Sequence, residues 1–351
     1  VVQDGAGIYG ASGCQARWYR NGALQNSLDL NLRLTSMSDV NNWIGRSQYG
    51  ADSNSNISLN ELRFYNRALS AGEILSSYTA GPDPDSGPPE PHAPAPLPLH
   101  RWKFNNAAGA VASGTAFTDS ISGETGTLRG NGATLNGTAM VLPGTTNGNQ
   151  TSAAISAYLD LPNGIVSSKT SMTFETWVRP LSTKTWQRIF DFGRANLTSG
   201  AGASVGEILD GAAAPGGFTA YDNLLLSLNN NGVLGSHRLE GKLAGTVTGT
   251  VDTDLSTATA ANTEYHYVLT VEDGAGAYGA NGSRAKWYRN GAVQGSLDLS
   301  YRLREMADVN NWIGRSQWAA DMNSNMSINE LRVYDRAISP AEVISAYNAG
   351  A

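Results

Sequence analysis

Cysteine is nearly absent from this sequence: Cys14 is the one thiol among 351 residues. A single cysteine excludes a disulfide framework inside the chain and any zinc site built on two or more thiolates. Histidine is scarce too, with 4 residues, and none has a cysteine or a second histidine at the spacing of a metal site. The cysteine count fits a secreted protein as well as a cytosolic one.

Charged residues are also few. They make up 15% of the chain, with 24 Lys and Arg against 30 Asp and Glu and a net charge of −6. Because phosphate backbones are bound by clustered cations, the lack of a basic run argues against a nucleic-acid partner. No segment approaches the roughly 18 consecutive apolar residues of a membrane-spanning helix. The sequence starts at Val1 without a recognisable export signal, which would have been removed or would lie outside it.

Glycine is abundant, with 40 residues, while runs rich in Leu, Glu and Lys are rare. This composition predicts many strands joined by tight turns, and little helix. Alternating apolar and polar residues predict strands at 100–104, 138–142, 157–161, 171–180, 186–193, 223–229, 265–271, 285–291, 310–316 and 327–335. About ten to fourteen antiparallel strands of this kind form a large sandwich.

One short helix is predicted at residues 339–347, with Ser339 as its N-cap and Glu342 as the capping-box partner. Ser70 and Glu73 give the same signal near the start of the chain.

An internal repeat organises the chain. Residues 2–81 match residues 271–350 without a gap, at an offset of 269, with about 53 identities in 80 positions. Residues 82–98 are rich in proline and predict a semi-rigid spacer in the polyproline II conformation. The predicted organisation is therefore the C-terminal part of a sandwich at 1–81, a linker at 82–98 and a complete sandwich domain at 99–351.

This organisation leaves residues 1–81 incomplete. The C-terminal third of a β domain has unpaired strand edges and half of a hydrophobic face. We expect the missing strands to come from adjacent repeats of a tandem array or from another copy of the chain. The array is favoured, because residues 82–350 also number 269, as a repeating unit should.

Several motifs resemble the laminin-G-like (concanavalin A-like lectin/glucanase) domain of bacterial surface and secreted proteins. The motifs are YLDLPNGIVSS (158–168), TFETWVRP (173–180), EYHYVLTV (264–271), WYRNG (287–291) and INELRVYDRAISPAEV (328–343). The resemblance implies an all-β fold, an antiparallel two-sheet jelly-roll sandwich, complete in 99–351 and partial in 1–81. It also implies a mostly noncatalytic extracellular module that binds carbohydrate or protein, or acts as a spacer or adhesin.

Catalysis finds little support in the residues. Glycosidases with this sandwich carry two carboxylates on one strand beside a cleft. The nearest candidates, Glu207 and Asp210, would point to opposite faces of a strand, and the Gly and Ala around them predict a loop. Glu175 is an isolated strand carboxylate that we expect on a solvated or concave face. His266, in the next motif, is explained by packing and hydrogen bonding.

A structural Ca²⁺ ion is the cofactor that the resemblance implies, held near the N-terminal strand by carbonyl oxygens and a closing-strand carboxylate. The matching closing-strand residue is Asn329, with Asn60 as its counterpart in the first copy. Gly144 would supply a carbonyl, and Asp119 would help fix the N-terminal loop. A role for Asn329 in capping a turn or bonding the backbone is equally open.

Four aromatic residues are candidates for a carbohydrate site, because they lie beside turns rich in Asn and Asp: Trp318, Tyr49 at the matching place, Tyr221 and Trp186. Sugar sites pair a flat aromatic face with such polar groups. Other tryptophans lie inside predicted strands and are expected in the core, namely Trp18, Trp43, Trp287 and Trp312.

The sequence therefore predicts a noncatalytic repeat module of an extracellular or cell-surface protein, bacterial in type, that serves in a surface, filament or adhesion array. A carbohydrate-binding, lectin-like module is the alternative, and a glycan-active enzyme of the same fold is a weaker one.

Overall fold

The computed structural model describes residues 1–81, 96–145, 155–196, 205–208, 218–230 and 232–351. The chain divides into two compact units, Val1–Pro94 and Ala95–Ala351. Within the described residues, no helix is long and apolar enough to cross a membrane.

Strands dominate the second unit, whereas the first unit has three strands near its start and one helix. The first unit contains β1 (Val2–Asp4), β2 (Cys14–Arg20), β3 (Ala23–Leu30) and the helix α1 (Ala71–Ala80). The second unit contains β4 (His100–Lys103), β5 (Gly109–Ala110), β6 (Ala116–Thr118), β7 (Thr125–Arg129), β8 (Thr134–Leu135), β9 (Met140–Pro143), β10 (Tyr158–Leu161), β11 (Ser171–Pro180), β12 (Arg188–Asn196), β13 (Val205–Gly206), β14 (Thr219–Ser227), β15 (Asn229–Asn230), β16 (Val233–Leu234), β17 (Ser236–Leu243), β18 (Thr246–Asp254), β19 (Tyr265–Asp273), β20 (Ser283–Arg289), β21 (Ala292–Leu299), β22 (Asn310–Ile313), β23 (Asn325–Tyr334) and α2 (Pro340–Ala349).

Two nine-stranded sheets build the second unit. The β12 sheet has the order β18-β17-β14-β12-β22-β10-β7-β6, with β13 beside β12. The β11 sheet has the order β21-β20-β19-β11-β23-β9-β8-β5, with β4 beside β23. Neighbouring strands within each sheet run antiparallel, and strands far apart in the sequence lie side by side. The antiparallel two-sheet sandwich predicted from the sequence is confirmed.

Side-chain alternation along the strands creates the core between the sheets. Phe174 of β11 points inward, where its ring lies 5.0 Å from that of Phe190 and 5.3 Å from that of Phe192, both on β12. Trp102 and Trp287 are fully buried in the same cluster. Each large buried side chain contributes about 1.5–3 kcal/mol relative to its exposed state. The sheets are therefore held together mainly by apolar burial.

The C-terminal helix covers part of the outer surface of the β11 sheet. It begins after Ser339, whose hydroxyl accepts a hydrogen bond from the backbone N–H of Glu342, while the Glu342 carboxylate accepts one from Ser339 N–H. The predicted capping box is thus confirmed. Val343 packs with Val268 and Tyr334 in a small apolar cluster beneath the helix.

The repeated sequence adopts two different conformations. The decapeptide DVNNWIGRSQ occurs at 39–48 and again at 308–317. In the second copy it contains β22, and Trp312 is 0% exposed. In the first copy it forms no strand, and Trp43 is 41% exposed. Because the ten residues are identical, the difference comes from their surroundings.

The surroundings differ in the strands available for pairing. β22 lies between β10 and β12 and is paired with both. Residues 1–81 contain no counterpart of either strand, since the repeat begins at the end of β19. A strand exposed on both edges gains few hydrogen bonds and little apolar burial. The first copy therefore keeps the sequence of a central strand without its conformation.

Local contacts survive in the first copy. β1, β2 and β3 reproduce the end of β19, β20 and β21, with β2 between the other two. Asp4 accepts a hydrogen bond from the backbone N–H of Leu34 at 2.9 Å, as Asp273 does from that of Leu303 at 2.9 Å. Contacts close in sequence thus persist, whereas pairing with distant strands is missing from residues 1–81.

Hydrogen exchange can test this difference with an internal control. Residues 39–48 and 308–317 have the same intrinsic exchange chemistry, because their sequences are identical. In the 351-residue chain we expect exchange at 310–317 to be at least about 100-fold slower than at 41–48, since core strands open far less often than exposed segments. Mass spectrometry of peptides carrying the different flanking residues would measure both. Equal protection of the two segments would contradict the structure.

Candidate functional site

The outer face of the β12 sheet carries an unusual number of buried polar groups. Trp312 of β22 pairs with Asp160 of β10 on one side and with Asp191 of β12 on the other, so the three side chains share this face. Leu225 and Glu240 extend the row across β14 and β17. Asp191 and Glu240 are both buried. Buried carboxylates require partners and are common at functional sites, so this face is a candidate site.

Two tryptophans and an arginine form the centre of this face. The Arg188 guanidinium lies 5.6 Å from the ring centroid of Trp186 and 5.6 Å from that of Trp318. Two further cations approach the same rings: Arg238 is 5.2 Å from Trp186, and Lys242 is 5.3 Å from Trp318. These distances lie within the range of cation–π attraction. We call Trp186, Arg188 and Trp318 the aromatic–arginine cluster.

Arg188 is buried, and two nitrogens of its guanidinium donate hydrogen bonds. Its Nη2 donates to Asp321 at 2.6 Å, and its Nη1 donates to the carbonyl of Trp186 at 2.8 Å. Its own carbonyl accepts a hydrogen bond from the hydroxyl of Ser324 at 2.6 Å. Asp191 lies 3.5 Å from Nε. The arginine therefore ties together the start of β12 and the loop that precedes β23.

The backbone of Trp186 has a φ of +57°, in the left-handed region. Such a conformation costs a bulky residue about 1–3 kcal/mol and persists where its surroundings fix it. Here the carbonyl of Trp186 is held by Arg188, and the ring contacts two cations. The strained turn presents the indole beside Trp318.

Asp191 holds the loop that carries Trp318. Its two carboxylate oxygens accept hydrogen bonds from the backbone N–H of Gln317 at 3.0 Å and from the Gln317 side chain at 3.2 Å. Burial raises the pKa of Asp191 to about 7, although the charge of Arg188 and these hydrogen bonds act in the opposite direction. Trp318 is thus positioned by groups buried beneath it.

A second group of aromatic residues surrounds Arg315 on the same face. Its guanidinium lies 4.3 Å from the ring centroid of Trp312, 4.6 Å from Tyr158 and 5.4 Å from Phe218. Burial lowers the pKa of Arg315. The same contact occurs in the first copy, where Arg46 lies 4.2 Å from the Trp43 ring.

Asp160 is the carboxylate that sequence reasoning missed. It faces Arg129 at 3.5 Å. Burial raises its pKa to about 7; Arg129 opposes this effect and Glu207 adds to it. The period of two along YLDL does place Asp160 on the opposite face from its apolar neighbours Leu159 and Leu161, but the alternation cannot reveal that other segments bury this outer face.

The predicted carbohydrate residues are partly brought together. Trp186 and Trp318 belong to the aromatic–arginine cluster, and Tyr221 of β14 lies on the same sheet with Arg194 at 4.9 Å from its ring. Tyr49, the counterpart of Trp318, belongs to the first unit and is 78% exposed. Two of the four candidates therefore lie in loops that adjoin β12 and β22, and a third lies on β14 of the same sheet.

Asp119 accepts hydrogen bonds that hold a loop, as expected from the sequence. One carboxylate oxygen accepts hydrogen bonds from the backbone N–H groups of Arg101 and Ile121, at 2.7 and 2.8 Å. The other accepts from His100 and from the backbone and hydroxyl of Ser122. Burial would raise the pKa of Asp119, but these hydrogen bonds outweigh it and hold the pKa low. Asp119 fixes the loop after β6.

The other two predicted calcium ligands do not meet. Gly144 lies beside Asn325, the residue of β23 that pairs with Pro143. Asn329 is four residues further along β23, a separation of about 13 Å at the rise of an antiparallel strand. Among the described residues, no group of three or more Asp, Glu, His or Cys is placed to hold a metal ion. A structural Ca²⁺ held by carbonyl and Asn oxygens therefore stays a prediction.

Two of the carboxylates considered for catalysis belong to different sheets, because Glu175 lies on β11 and Glu207 follows β13 of the β12 sheet. Glu207 accepts a long hydrogen bond from Asn163 at 3.3 Å, and Asp210 lies outside the described residues. The expectation of a solvated Glu175 is wrong, because Glu175 is fully buried beneath α2. His266 donates to it at 2.7 Å if Nε2 carries the proton. Burial opposes ionisation of Glu175, but His266 and Arg332 outweigh it and lower its pKa.

Comparison with known protein families agrees with the sandwich fold. The family model described as the concanavalin A-like lectin/glucanases superfamily, of the laminin G type, matches residues 5–75 and 151–344. The chain belongs to this family, as its motifs predict. No curated protein matches the chain.

Several solved structures are similar in fold. Domain 4 of AbnA, an extracellular GH43 arabinanase from Geobacillus stearothermophilus in complex with arabinotriose, is 19% identical with a TM-score of 0.42, covering 71% of this chain and 98% of that one. A Trypanosoma rangeli sialidase is 16% identical with a TM-score of 0.46, covering 72% and 33%. The receptor binding domain of a botulinum neurotoxin C/D mosaic serotype is 13% identical with a TM-score of 0.44, covering 72% and 51%.

Replacement of Arg188 tests the aromatic–arginine cluster. Arg188→Met leaves Asp321 and Asp191 without their cation in a buried setting, so we expect the free energy of unfolding to fall by about 3 kcal/mol. Arg238→Met is the matched control: it also removes a cation from Trp186, but its ion pair with Asp252 is exposed and worth under about 1 kcal/mol. Urea unfolding measures both, and equal losses would contradict the assigned role of Arg188.

The pKa of Asp160 predicts a pH-dependent stability. A carboxyl with a pKa of about 7 in the folded chain and 3.8 ordinarily binds its proton more tightly when folded, so its contribution to stability falls as the pH rises between these values. The amide of the Asp160→Asn variant cannot titrate. From pH 4 to pH 8, the stability of this variant relative to the parent should therefore rise, by on the order of 3 kcal/mol. Parallel pH profiles would refute the burial effect.

Proposed function

We propose that the chain is a noncatalytic repeat module of an extracellular surface, filament or adhesion protein, in which sandwich domains follow one another at a period of 269 residues. The observation that carries this proposal is the decapeptide at 39–48 and 308–317, which is buried in one copy and exposed in the other. A segment keeps the sequence of a central strand when natural selection acts on a protein in which that strand is formed and paired. Residues 1–81 then complete a sandwich whose other strands belong to a neighbouring repeat.

The apolar side chains of the first unit support this reading. Its exposed large hydrophobic residues include Trp18, Leu28, Ile44, Ile57, Leu59, Leu62 and Phe64. Their counterparts are all buried, namely Trp287, Leu297, Ile313, Met326, Ile328, Leu331 and Val333. Soluble monomers rarely leave contiguous apolar patches of more than a few hundred Å² uncovered. A neighbouring repeat would cover this set in the way that the second unit covers its own.

A chain extended by one further set of strands tests the proposal. Residues 82–269 placed before Val1 would supply all the strands that the first copy lacks, in the register of the repeat. We expect trypsin to cut the 351-residue chain after Arg46, and the extended chain to resist cleavage there at least about 10-fold longer, because cleavage requires local opening. Arg315, the buried counterpart of Arg46, is the control in both proteins. Equal sensitivity of Arg46 in the two chains would contradict the array.

Carbohydrate binding is the second candidate, favoured by the two tryptophans, Trp186 and Trp318, that Arg188 contacts beside the β12 sheet. Aromatic rings held by buried polar groups are suited to stacking on sugar rings. We expect Trp318→Ala to abolish binding on a glycan array with the fold intact, and Tyr49→Ala, at the matched position of the first unit, to leave binding unchanged. The absence of binding to every glycan would leave the structural role alone. Hydrolysis of a glycan that is lost in Asp160→Asn would contradict a noncatalytic module.

A further inference from the structure

The first unit lacks one particular strand. In the second unit β11 lies between β19 and β23 and is paired with both. The counterparts of these neighbours are β1, which matches the end of β19, and residues 56–65, which match β23. β1 is paired with β2, while residues 56–65 form no strand. Within residues 1–81, nothing occupies the position of β11.

Polar groups mark the same position. The Tyr334 hydroxyl donates to the carboxylate of Glu175 on β11, and Arg332 lies 3.5 Å from that carboxylate. Their counterparts in the first unit are Tyr65 and Arg63. The hydroxyl of Tyr65 is buried and interacts with Arg63, which can only donate to it, so its own proton has no acceptor in the described part of the chain. A buried hydroxyl without an acceptor is costly, so this position calls for a carboxylate.

The rest of the polar arrangement is already assembled in the first unit. Arg63 is paired with Glu61, and its Nη2 donates to the carbonyl of Gly81 at 3.5 Å. In the second unit Arg332 is likewise paired with Glu330 and donates to the carbonyl of Gly350 at 3.0 Å. The arginine, its neighbouring glutamate and the end of the helix are thus in place before any strand is added.

An open apolar groove adjoins β1. Its volume is about 530 Å³, and its lining includes Val2, Ala16, Trp18 and Leu28. The counterpart of Trp18 is fully buried and has the ring of His237, on β17, at 5.0 Å. The groove therefore matches the inner face that the opposite sheet covers in the second unit. A single strand would not fill it, but a segment that contains both sheets would.

We infer that the first unit receives a segment of the same kind as residues 99–269, whose β11 strand enters between β1 and residues 56–65 and places its glutamate against Tyr65 and Arg63. This inference rests on the proposed array and identifies the strand through which one repeat pairs with the next. The segment belongs to the preceding repeat of the same polypeptide, because an offset of 269 lets the chain continue from Leu269 of that repeat into Val1 without insertion or deletion.

The test uses the full chain and the chain extended by residues 82–269 before Val1. Hydrogen exchange at increasing urea, read at 39–48 and at 308–317, gives a midpoint for each domain separately. In the extended chain, Tyr65→Phe should lower the 39–48 midpoint by about 0.5–1 M, as Tyr334→Phe lowers the 308–317 midpoint, because each loses a hydrogen bond to a carboxylate. Glu175→Gln in the added copy should be non-additive with Tyr65→Phe, since the two side chains share one interaction.

The possible outcomes distinguish an error in the proposed strand position from an error in the proposed array. If the added segment protects 39–48 but Tyr65→Phe has no effect, or is additive with Glu175→Gln, the proposed strand position is wrong and the array stands. If the added segment gives no protection, both are wrong. If the 351-residue chain alone forms dimers in which 39–48 is protected, as light scattering and exchange would show, the strand comes from a second copy and the preceding-repeat assignment is overturned.

Discussion

Pairing between strands that are far apart in the sequence is the constraint on which this structure depends. β23, near the end of the second unit, is paired with β4, β9 and β11, and β22 is paired with β10 and β12. The chain must close long loops before these contacts form, and only the completed sandwich repays that entropy. A unit that lacks the earlier strands therefore loses the later ones as well, which explains why residues 39–66 contain no strand although their sequence is nearly that of β22 and β23.

The same pairing creates the polar site. Because β10, β22 and β12 are adjacent, Asp160, Trp312 and Asp191 form one row, and the loop after β22 folds back over that row through Gln317. Buried polar networks are stable when their members are satisfied together, so the loop, the carboxylates and Arg188 depend on one another. The tryptophans are held in place by this network.

Part of the molecule could be read from the sequence. The predicted bounds of β11 match the structure to the residue, although the alternation of SMTFETWVRP is interrupted near Thr176 and Val178, where the pairing with β23 is irregular. The capping box at Ser339 predicts the start of α2. The long strands β17, β18 and β21 were missed, because glycines and charged residues obscure their alternation and pairing stabilises them. Shorter strands were missed too, namely β5, β6, β7, β8, β13, β15 and β16. The residues of the candidate site were harder to predict from the sequence. Two of the aromatic candidates lie around one arginine, but their role as sugar ligands stays a prediction. Alternation alone cannot say which outward-facing residues a distant loop will bury, so the burial of Asp160, Asp191 and Arg188 could not be predicted.

We propose that residues 1–81 form a half-sandwich that the strands of a neighbouring repeat complete. A crystal structure of the chain extended by residues 82–269 before Val1 would show this arrangement. Residues 56–65 should then form a strand, paired on one side with the added copy of β11, and Trp43 should be buried as Trp312 is. An ordered first unit that remains strandless at 56–65, with the added residues folded elsewhere, would contradict it.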